Sequence, residues 1–173
     1  MNNFVPDMYQ KSIYHIDYDK LADSGIKCIL LDLDNTSVPY KDKEPNKRLI
    51  DLVNELKDEF KVIIFSNATK KRILPFKKAL NVDCLARAGK PGKKSFLKVL
   101  KLFNYELSDV VIIGDQLYMD ILGGNRVGIK TILVNPMSRD DMFFTKYLIR
   151  PFEKLKYKEL EKKQLLKRGN YYE

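Results

Sequence analysis

Two acidic residues, Asp32 and Asp34, follow a largely apolar run at positions 26–31 and are separated by a single leucine. An isolated charge beside a buried strand is costly, so such groups must be paired, hydrogen-bonded or bound to a metal ion. Stability alone gives little reason to place two carboxylates here. The pair indicates chemistry, in which one carboxylate acts as a nucleophile and its neighbour moves protons.

Further polar residues stand at the ends of other apolar runs of the chain. Because the carboxyl ends of parallel strands meet at one edge of a sheet, we expect these side chains to lie around Asp32. They are Ser66 with Asn67 after the run at 61–65, Lys90 after a short run at 83–87, and Asp115 after the run at 110–114.

These residue types suit phosphoryl transfer. A phosphate ester carries concentrated negative charge, which two carboxylates would repel unless a divalent cation such as Mg²⁺ bound both. In this interpretation Asp32 forms an aspartyl-phosphate. Asp34 protonates the leaving oxygen and later activates water, which requires a raised pKa. Ser66 and Lys90 bind the phosphoryl oxygens, and Asp115 completes the Mg²⁺ site.

The apolar runs predict an α/β fold. They are rich in Val, Ile and Leu without strict alternation, as expected of parallel strands buried on both faces. Helix-like stripes separate them, one marked by Leu49, Val53 and Leu56 and another by Phe96, Leu100 and Phe103. We therefore predict a Rossmann-like, open, mainly parallel sheet with helices on both faces. The predicted strands are 27–33, 61–65, 83–87, 110–114 and 130–134.

The ordered motifs resemble those of the haloacid dehalogenase-like (HAD) phosphohydrolases. The particular residues within and around these motifs are similar to those of the YqeG-type branch of subclass IIIA. That branch is similar to the phosphatidylglycerophosphate phosphatases. This resemblance implies that the main-chain carbonyl of Asp34 also binds Mg²⁺. Asp120 is then an outer or water-mediated metal partner, and Thr36 and Asn67 are secondary site residues. The matching runs are Leu-Asp-Leu-Asp-Asn-Thr at 31–36, Ser-Asn at 66–67, Lys-Pro at 90–91, Gly-Asp-Gln-Leu-Tyr at 114–118 and Gly-Gly-Asn-Arg at 123–126.

The spacing between motifs leaves no room for an inserted cap domain. Only 29 residues (37–65) separate Thr36 from Ser66, and 23 (67–89) separate Ser66 from Lys90. One crossover helix and its loops use most of each gap. An uncapped site is open, which suits a large substrate such as a lipid head group at a membrane, a protein or a nucleic acid end.

The positive charge of the chain is concentrated near its C-terminal end. The net charge is +9, and residues 146–168 contain nine Lys or Arg and three Glu, a balance of +6. Leu148, Phe152 and Leu155 have helical spacing there. They predict a helix docked on the core with a solvated basic face, and contact with an anionic membrane surface is the alternative. The absence of a stacking motif or known binding module argues against nucleic acid.

Length and composition predict one domain over residues 1–173, with an N-terminal extension at 1–25 and the basic helical segment at 146–168. Because no signal peptide is visible, we expect a cytoplasmic protein, with peripheral contact to the inner face of the membrane as a further hypothesis. A single histidine, His15, makes a His-based zinc site or a Ser-His-Asp triad improbable. Nothing in the sequence indicates an oligomeric state.

Other functions stay open at this point. The preferred substrate is a large or membrane-presented phosphomonoester, with phosphatidylglycerophosphate implied by the resemblance. Nucleotide, sugar or protein phosphates are the alternatives within the same reaction. A non-catalytic module associated with RNA or ribosomes would keep the fold and lose a motif residue, which has not happened here. A receiver-like phosphoacceptor would hold a stable aspartyl-phosphate.

Overall fold

The structure, a computed structural model, describes residues 2–173 and is built on one six-stranded sheet. All strand pairs are parallel, and the strand order is β1-β6-β5-β2-β3-β4. This confirms the predicted open α/β sheet. The strands are β1 Met8–Gln10, β2 Cys28–Leu31, β3 Lys61–Phe65, β4 Asp83–Leu85, β5 Val110–Gly114 and β6 Lys130–Val134.

Helices cover both faces of the sheet. On one face Leu49, Val53 and Leu56 are buried, as their spacing predicted, and on the other Phe96 and Leu100 are buried. Side-chain caps begin several helices, for example Asn46, which accepts the Leu49 N–H at 2.9 Å. The helices are α1 Tyr18–Asp23, α2 Lys47–Leu56, α3 Lys70–Leu80, α4 Lys93–Phe103, α5 Leu122–Val127 and α6 Arg150–Lys162.

The register of the central strands brings three motif positions to one level. Leu31, the last residue of β2, pairs with Ile64 of β3 and Ile113 of β5. Asp32 is therefore level with the last residues of those two strands, and Ser66 and Asp115 follow one position later. The Asp32 N–H continues the ladder by donating to Ile113 O at 3.0 Å. The central strands thus present these side chains at the carboxyl edge of the sheet, as predicted.

Within the predicted N-terminal extension at 1–25, residues 8–10 form an edge strand of the sheet. The extension supplies β1, which pairs with β6 through Met8 and Ile132, and also α1. A three-residue strand is too short to show a hydrophobic period, so its pairing partner decides its conformation. The two predicted strands at 27–33 and 83–87 are also shorter than expected. Between β2 and β4 the chain adds only loops, α2 and α3 around β3, without a cap.

The C-terminal part of the chain forms a helix, as predicted, but the side that faces the core is not the predicted one. A π-helical turn, Thr145–Ile149, leads directly into α6; together, residues 145–162 are called the C-terminal helix. Its buried residues are Thr145, Ile149, Glu153 and Leu160, whereas the predicted stripe of Leu148, Phe152 and Leu155 is exposed. The helix ends at Lys162 and not near 168. A bilayer-crossing segment would need a longer apolar stretch than any helix within residues 2–173 provides.

Candidate active site

Five motif residues are brought together at the carboxyl edge of the sheet and are all buried. The least exposed is Asp120, at 0%, and the most exposed are Asp32 and Lys90, at 5% each. Burial of this many charged groups is tolerated only because each has partners. The five residues are Asp32, Ser66, Lys90, Asp115 and Asp120.

Lys90 is held between two carboxylates. Its amine Nζ donates to Asp32 Oδ1 at 2.6 Å and to Asp120 Oδ1 at 2.6 Å. Burial by itself lowers the pKa of Lys90, but the charges of Asp120 and Asp32 outweigh it and raise the pKa above its usual value. Lys90 is therefore a positive charge in this buried cluster.

The main chain of Lys90 is fixed by Asn67. The Asn67 amide accepts the Lys90 N–H at 2.9 Å and donates to the Lys90 carbonyl at 3.0 Å. Asn67 was a secondary candidate in the sequence, and its two bonds tie the end of β3 to the lysine loop. Its place in the structure is that of a residue that positions Lys90.

Three carboxylates form a compact acidic cluster. Asp32, Asp115 and Asp120 each offer an oxygen, and these oxygens lie within 4.8 Å of one another. Thr36 Oγ1 lies 3.0 Å from Asp32 Oδ2 and 3.1 Å from Asp115 Oδ1, so it bridges two of the acids. Burial raises the pKa values of Asp115 and Asp120, and neighbouring carboxylates add to the effect. A set of clustered carboxylate oxygens fits a hard divalent cation such as Mg²⁺.

A second observation also fits a bound group at this site. Gln116 follows Asp115 and borders the same pocket, and its side-chain oxygen is buried without a hydrogen-bond partner among residues 2–173. Buried hydrogen-bond acceptors normally have a partner, so this unpaired oxygen indicates a bound ligand or water. Gln116 was part of the resemblance but not among the predicted site residues.

The carboxylate of Asp34 is not part of the acidic cluster, although Asp34 lines the same pocket as Asp32. Its Oδ1 accepts from Arg72 Nη2 at 2.8 Å and from Arg72 Nε at 3.0 Å. Arg72 also donates to the carbonyl of Tyr40 at 3.1 Å, which anchors the loop after β2. Burial raises the pKa of Asp34 even though Arg72 opposes it, in the direction that the predicted proton-transfer role requires.

The predicted metal ligands can now be compared with the acidic cluster of the structure. Asp32 and Asp115 lie together as expected, and Asp120 joins them. The Asp34 carboxylate binds Arg72, so its main-chain carbonyl stays the candidate ligand that the resemblance implied. Gly114 makes this arrangement possible, because a Cβ at that position would lie 2.1 Å from Asp120 Cγ. Glycine is the only residue that lets Asp120 pack against the end of β5.

Two arginines that no motif indicated complete the site. Besides Arg72, Arg150 at the start of α6 donates from Nη2 to the buried Asp115. Its Nε donates to Asp141 Oδ2 at 2.8 Å and its Nη1 to Glu153 Oε2 at 3.1 Å. In the sequence Arg150 was only one of the basic residues near the C-terminal end. No signal in the sequence distinguishes it from its neighbours.

Asn35 connects the loop after β2 to the segment before the C-terminal helix. It adopts a left-handed conformation with φ 63°, and its amide donates to Asp140 O at 2.7 Å and Asp141 Oδ1 at 3.0 Å. Its side-chain oxygen accepts from Ser138 Oγ at 2.6 Å. Asp141 thus accepts hydrogen bonds from both Asn35 and Arg150. The segment that contains Asp141 borders the pocket over Asp32.

A parallel sheet that carries this acidic and basic set at its carboxyl edge defines a HAD-like hydrolase. The HAD-hydrolase-like family model matches residues 87–137, which include Lys90, Asp115 and Asp120. The chain is 39% identical over 145 residues to the probable phosphatase YqeG of Bacillus subtilis (strain 168), covering 83% of this chain and 84% of that protein. The chain belongs to the YqeG-type branch of the HAD-like phosphatases.

Two further matches are more distant. Phosphatidylglycerophosphate phosphatase 1, chloroplastic/mitochondrial, of Arabidopsis thaliana is 25% identical over 160 residues, covering 86% of this chain and 46% of that protein. A putative HAD superfamily (subfamily III A) hydrolase from Legionella pneumophila superposes with a TM-score of 0.50 at 14% identity, covering 70% of this chain and 73% of the other. This last likeness concerns the fold alone.

Proposed function

We propose that this phosphatase is a Mg²⁺-dependent phosphomonoester hydrolase that forms an aspartyl-phosphate on Asp32, with residues 1–173 acting as one catalytic domain. The observation that carries the proposal is the position of the Lys90 amine, 2.6 Å from both Asp32 and Asp120. The ammonium offsets the negative charge of Asp32 and lies beside the oxygen that would attack phosphorus, where it can also interact with a phosphoryl oxygen. Ser66 borders the same pocket.

The first chemical step transfers the phosphoryl group to the protein. An Asp32 carboxylate oxygen attacks phosphorus, and the bond between phosphorus and the ester oxygen breaks. Asp34 gives its proton to that leaving oxygen, so the alcohol departs neutral. Ser66 Oγ accepts the Ala68 N–H at 3.2 Å, which directs its own hydroxyl hydrogen to a phosphoryl oxygen. Lys90 stabilises a second phosphoryl oxygen.

The second step releases phosphate. Asp34, now ionised, takes a proton from water, and the resulting hydroxide oxygen attacks phosphorus. The bond between phosphorus and Asp32 breaks, which restores the Asp32 carboxylate and frees inorganic phosphate. Arg72 remains bound to Asp34 throughout and fixes the orientation of its carboxylate.

The carboxylates of Asp32 and Asp115 and the main-chain carbonyl of Asp34 would hold the Mg²⁺ ion. A bound Mg²⁺ supplies positive charge that offsets repulsion between these carboxylates and the phosphate ester. Asp120 holds Lys90 from the opposite side of the cluster, and Thr36 bridges Asp32 and Asp115.

The proposed substrate is a large or membrane-presented phosphomonoester, with phosphatidylglycerophosphate as the specific candidate. Two features support it: the likeness to the Arabidopsis enzyme over 86% of the chain, and the lack of a cap over the pocket in residues 2–173. Peripheral association with the inner face of a membrane is the location that this substrate implies.

A substrate panel tests the proposal. Phosphate release is measured with and without Mg²⁺ on phosphatidylglycerophosphate in mixed micelles, a nucleotide monophosphate, a sugar phosphate and a phosphopeptide. We expect Mg²⁺-dependent release with preference for the lipid. Asp32→Asn should lower kcat by more than about 10⁴-fold, since loss of a covalent nucleophile removes the whole pathway.

Asp51→Asn is the matched control, because Asp51 is an exposed aspartate paired only with Lys47 on α2. It should keep wild-type activity. Full activity of Asp32→Asn would exclude Asp32 as the nucleophile, and release from none of the four substrates would favour the non-catalytic binding module.

A further inference from the structure

The C-terminal helix and the residues just before it expose an unusual amount of apolar surface. Seven large apolar side chains within residues 142–155 are exposed, from 42% for Met142 to 80% for Phe143. Contiguous exposed apolar patches on a folded domain mark interaction sites. We call this set the apolar outer face; it consists of Met142, Phe143, Phe144, Tyr147, Leu148, Phe152 and Leu155.

This face is not an incidental consequence of how the helix packs. The opposite side of the helix is buried through residues such as Ile149 and Leu160, so the core contact is already satisfied. An aromatic contact orders part of the exposed side, since the rings of Phe143 and Tyr147 have centroids 4.7 Å apart. A helix with one apolar stripe in the core and a second in solvent has a second partner.

The apolar outer face adjoins the mouth of the catalytic pocket. Met142, just before the C-terminal helix, belongs to the face and also lines the pocket, together with Thr145 of that helix. Arg150, one turn further on, binds Asp115 of the acidic cluster. Whatever the face contacts is therefore held against the entrance to Asp32.

Unpaired positive charges border the apolar residues. Lys146, Lys154 and Lys158 are exposed, and within residues 2–173 no carboxylate lies within ion-pair distance of them. Two of the nearby acids are already engaged, since Glu153 is buried against Arg150 and Glu159 pairs with Lys156 and Lys163. Glu161 is exposed close to Lys154 and Lys158, so three lysines here face one free carboxylate. The helix thus offers free positive charge beside apolar side chains.

Exposed apolar side chains beside free lysines favour a lipid surface over a protein as the partner of this face. Aromatic and leucine side chains on one side with free lysines beside them are the composition of helices that lie in a membrane interface. Lysine is depleted at protein–protein interfaces, because its solvation and flexibility are costly to lose there. Anionic head groups instead attract lysines while these remain hydrated.

We propose that the apolar outer face and its flanking lysines dock the enzyme on an anionic bilayer, with the pocket facing the lipid head groups. This deepens the proposed function, on which it rests for the identity of the substrate. The apolar side chains enter the boundary between head groups and acyl chains, while the lysines contact lipid phosphates. The phosphate of a lipid substrate then reaches Asp32 without the lipid leaving the bilayer.

The test measures co-sedimentation of the full-length protein with vesicles, one set of phosphatidylcholine and phosphatidylglycerol in equal parts and one of phosphatidylcholine alone. We expect binding to the anionic vesicles that weakens with added salt. The double variant Leu148→Ser/Leu155→Ser should reduce the partition coefficient by about tenfold or more, because two exposed leucines no longer enter the bilayer.

A matched control uses α4, which is also rich in lysine and also exposes two leucines. Leu97 and Leu102 are 49% and 63% exposed, against 58% and 66% for Leu148 and Leu155. Leu97→Ser/Leu102→Ser should bind vesicles as the wild type does. Thermal unfolding of both double variants verifies that they are folded.

The outcomes separate docking from catalysis. Asp32→Asn should bind vesicles normally, since docking needs no chemistry. Hydrolysis of soluble phosphate esters without vesicle binding overturns the docking proposal and leaves the reaction intact. Equal loss of binding in both double variants also overturns it. So does a wild-type dimer in sedimentation velocity that Leu148→Ser/Leu155→Ser converts to a monomer, since the face would then bind a second copy.

Discussion

Arg150 donates a hydrogen bond to the buried carboxylate of Asp115, and this contact joins the C-terminal helix to the carboxyl edge of the sheet. Arg150 also binds Asp141 and Glu153, so one guanidinium contacts three acids. The catalytic edge is thus completed by a residue far along the chain from every motif. The same helix carries four of the seven residues of the apolar outer face.

Removal of Arg150 is expected to destabilise the protein. Arg150→Met leaves the buried Asp115 and Glu153 without their cation, and breaking a buried pair in this way costs about 3 kcal/mol. The measurement is the free energy of unfolding from urea denaturation. Lys154→Met on the same helix is the control, since Lys154 is exposed and should change stability by less than about 0.5 kcal/mol. Equal stability of the two variants would mean that the Arg150 contacts contribute nothing.

Replacement of Asp34 is expected to trap the covalent intermediate. The leaving group of p-nitrophenyl phosphate needs no proton, so Asp34→Asn should still be phosphorylated on Asp32 by this substrate. It should hydrolyse the aspartyl-phosphate at least about a hundredfold more slowly than the wild type. Intact-protein mass spectrometry after rapid acid quenching measures the phosphorylated fraction. The combined variant Asp32→Asn/Asp34→Asn should show no adduct. An adduct that persists in the combined variant would place the phosphoryl group elsewhere.

Divalent cation should stabilise the folded state through the acidic cluster. A ligand that binds only the native protein adds about 2.7 kcal/mol at a hundred times its dissociation constant. We therefore expect Mg²⁺ to raise the thermal midpoint and EDTA to reverse the effect. Asp115→Asn should abolish the response, whereas the exposed control Asp51→Asn should retain it. A midpoint that Mg²⁺ raises equally in Asp115→Asn would exclude Asp115 as a ligand.

Gly114 should not tolerate a side chain. In Gly114→Ala the new Cβ would lie 2.1 Å from Asp120 Cγ, so Asp120 must move and lose its hold on Lys90. Overpacking of this kind costs about 1–3 kcal/mol, and we expect kcat to fall as well. Denaturant unfolding and phosphate release measure the two effects.

Gly128→Ala provides the comparison for Gly114→Ala. Gly128 has φ 91°, and a Cβ added there would meet nothing within 4 Å, so alanine causes only backbone strain of about 1–2 kcal/mol. Stability should fall in both variants and activity only in Gly114→Ala. Loss of activity in both would show that the effect at Gly114 is not specific to Asp120.

The sequence by itself determined the central sheet and the catalytic edge. Apolar runs without alternation are typical of strands buried on both faces, and β3, β5 and β6 have the predicted bounds. Because parallel strands end at one edge, residues that follow them had to meet, and Asp32, Ser66 and Asp115 do so. These are local patterns combined with one rule of sheet geometry.

Tertiary structure decided the rest, because the missing information lies in pairing over long distances. Arg72 and Arg150 become site residues only when their helices dock, and nothing local marks them among 32 lysines and arginines. The C-terminal helix has two apolar stripes, one with Ile149 and Leu160 and one with Leu148 and Leu155. Helical periodicity finds both, but only packing against the sheet selects the first for the core and leaves the second exposed.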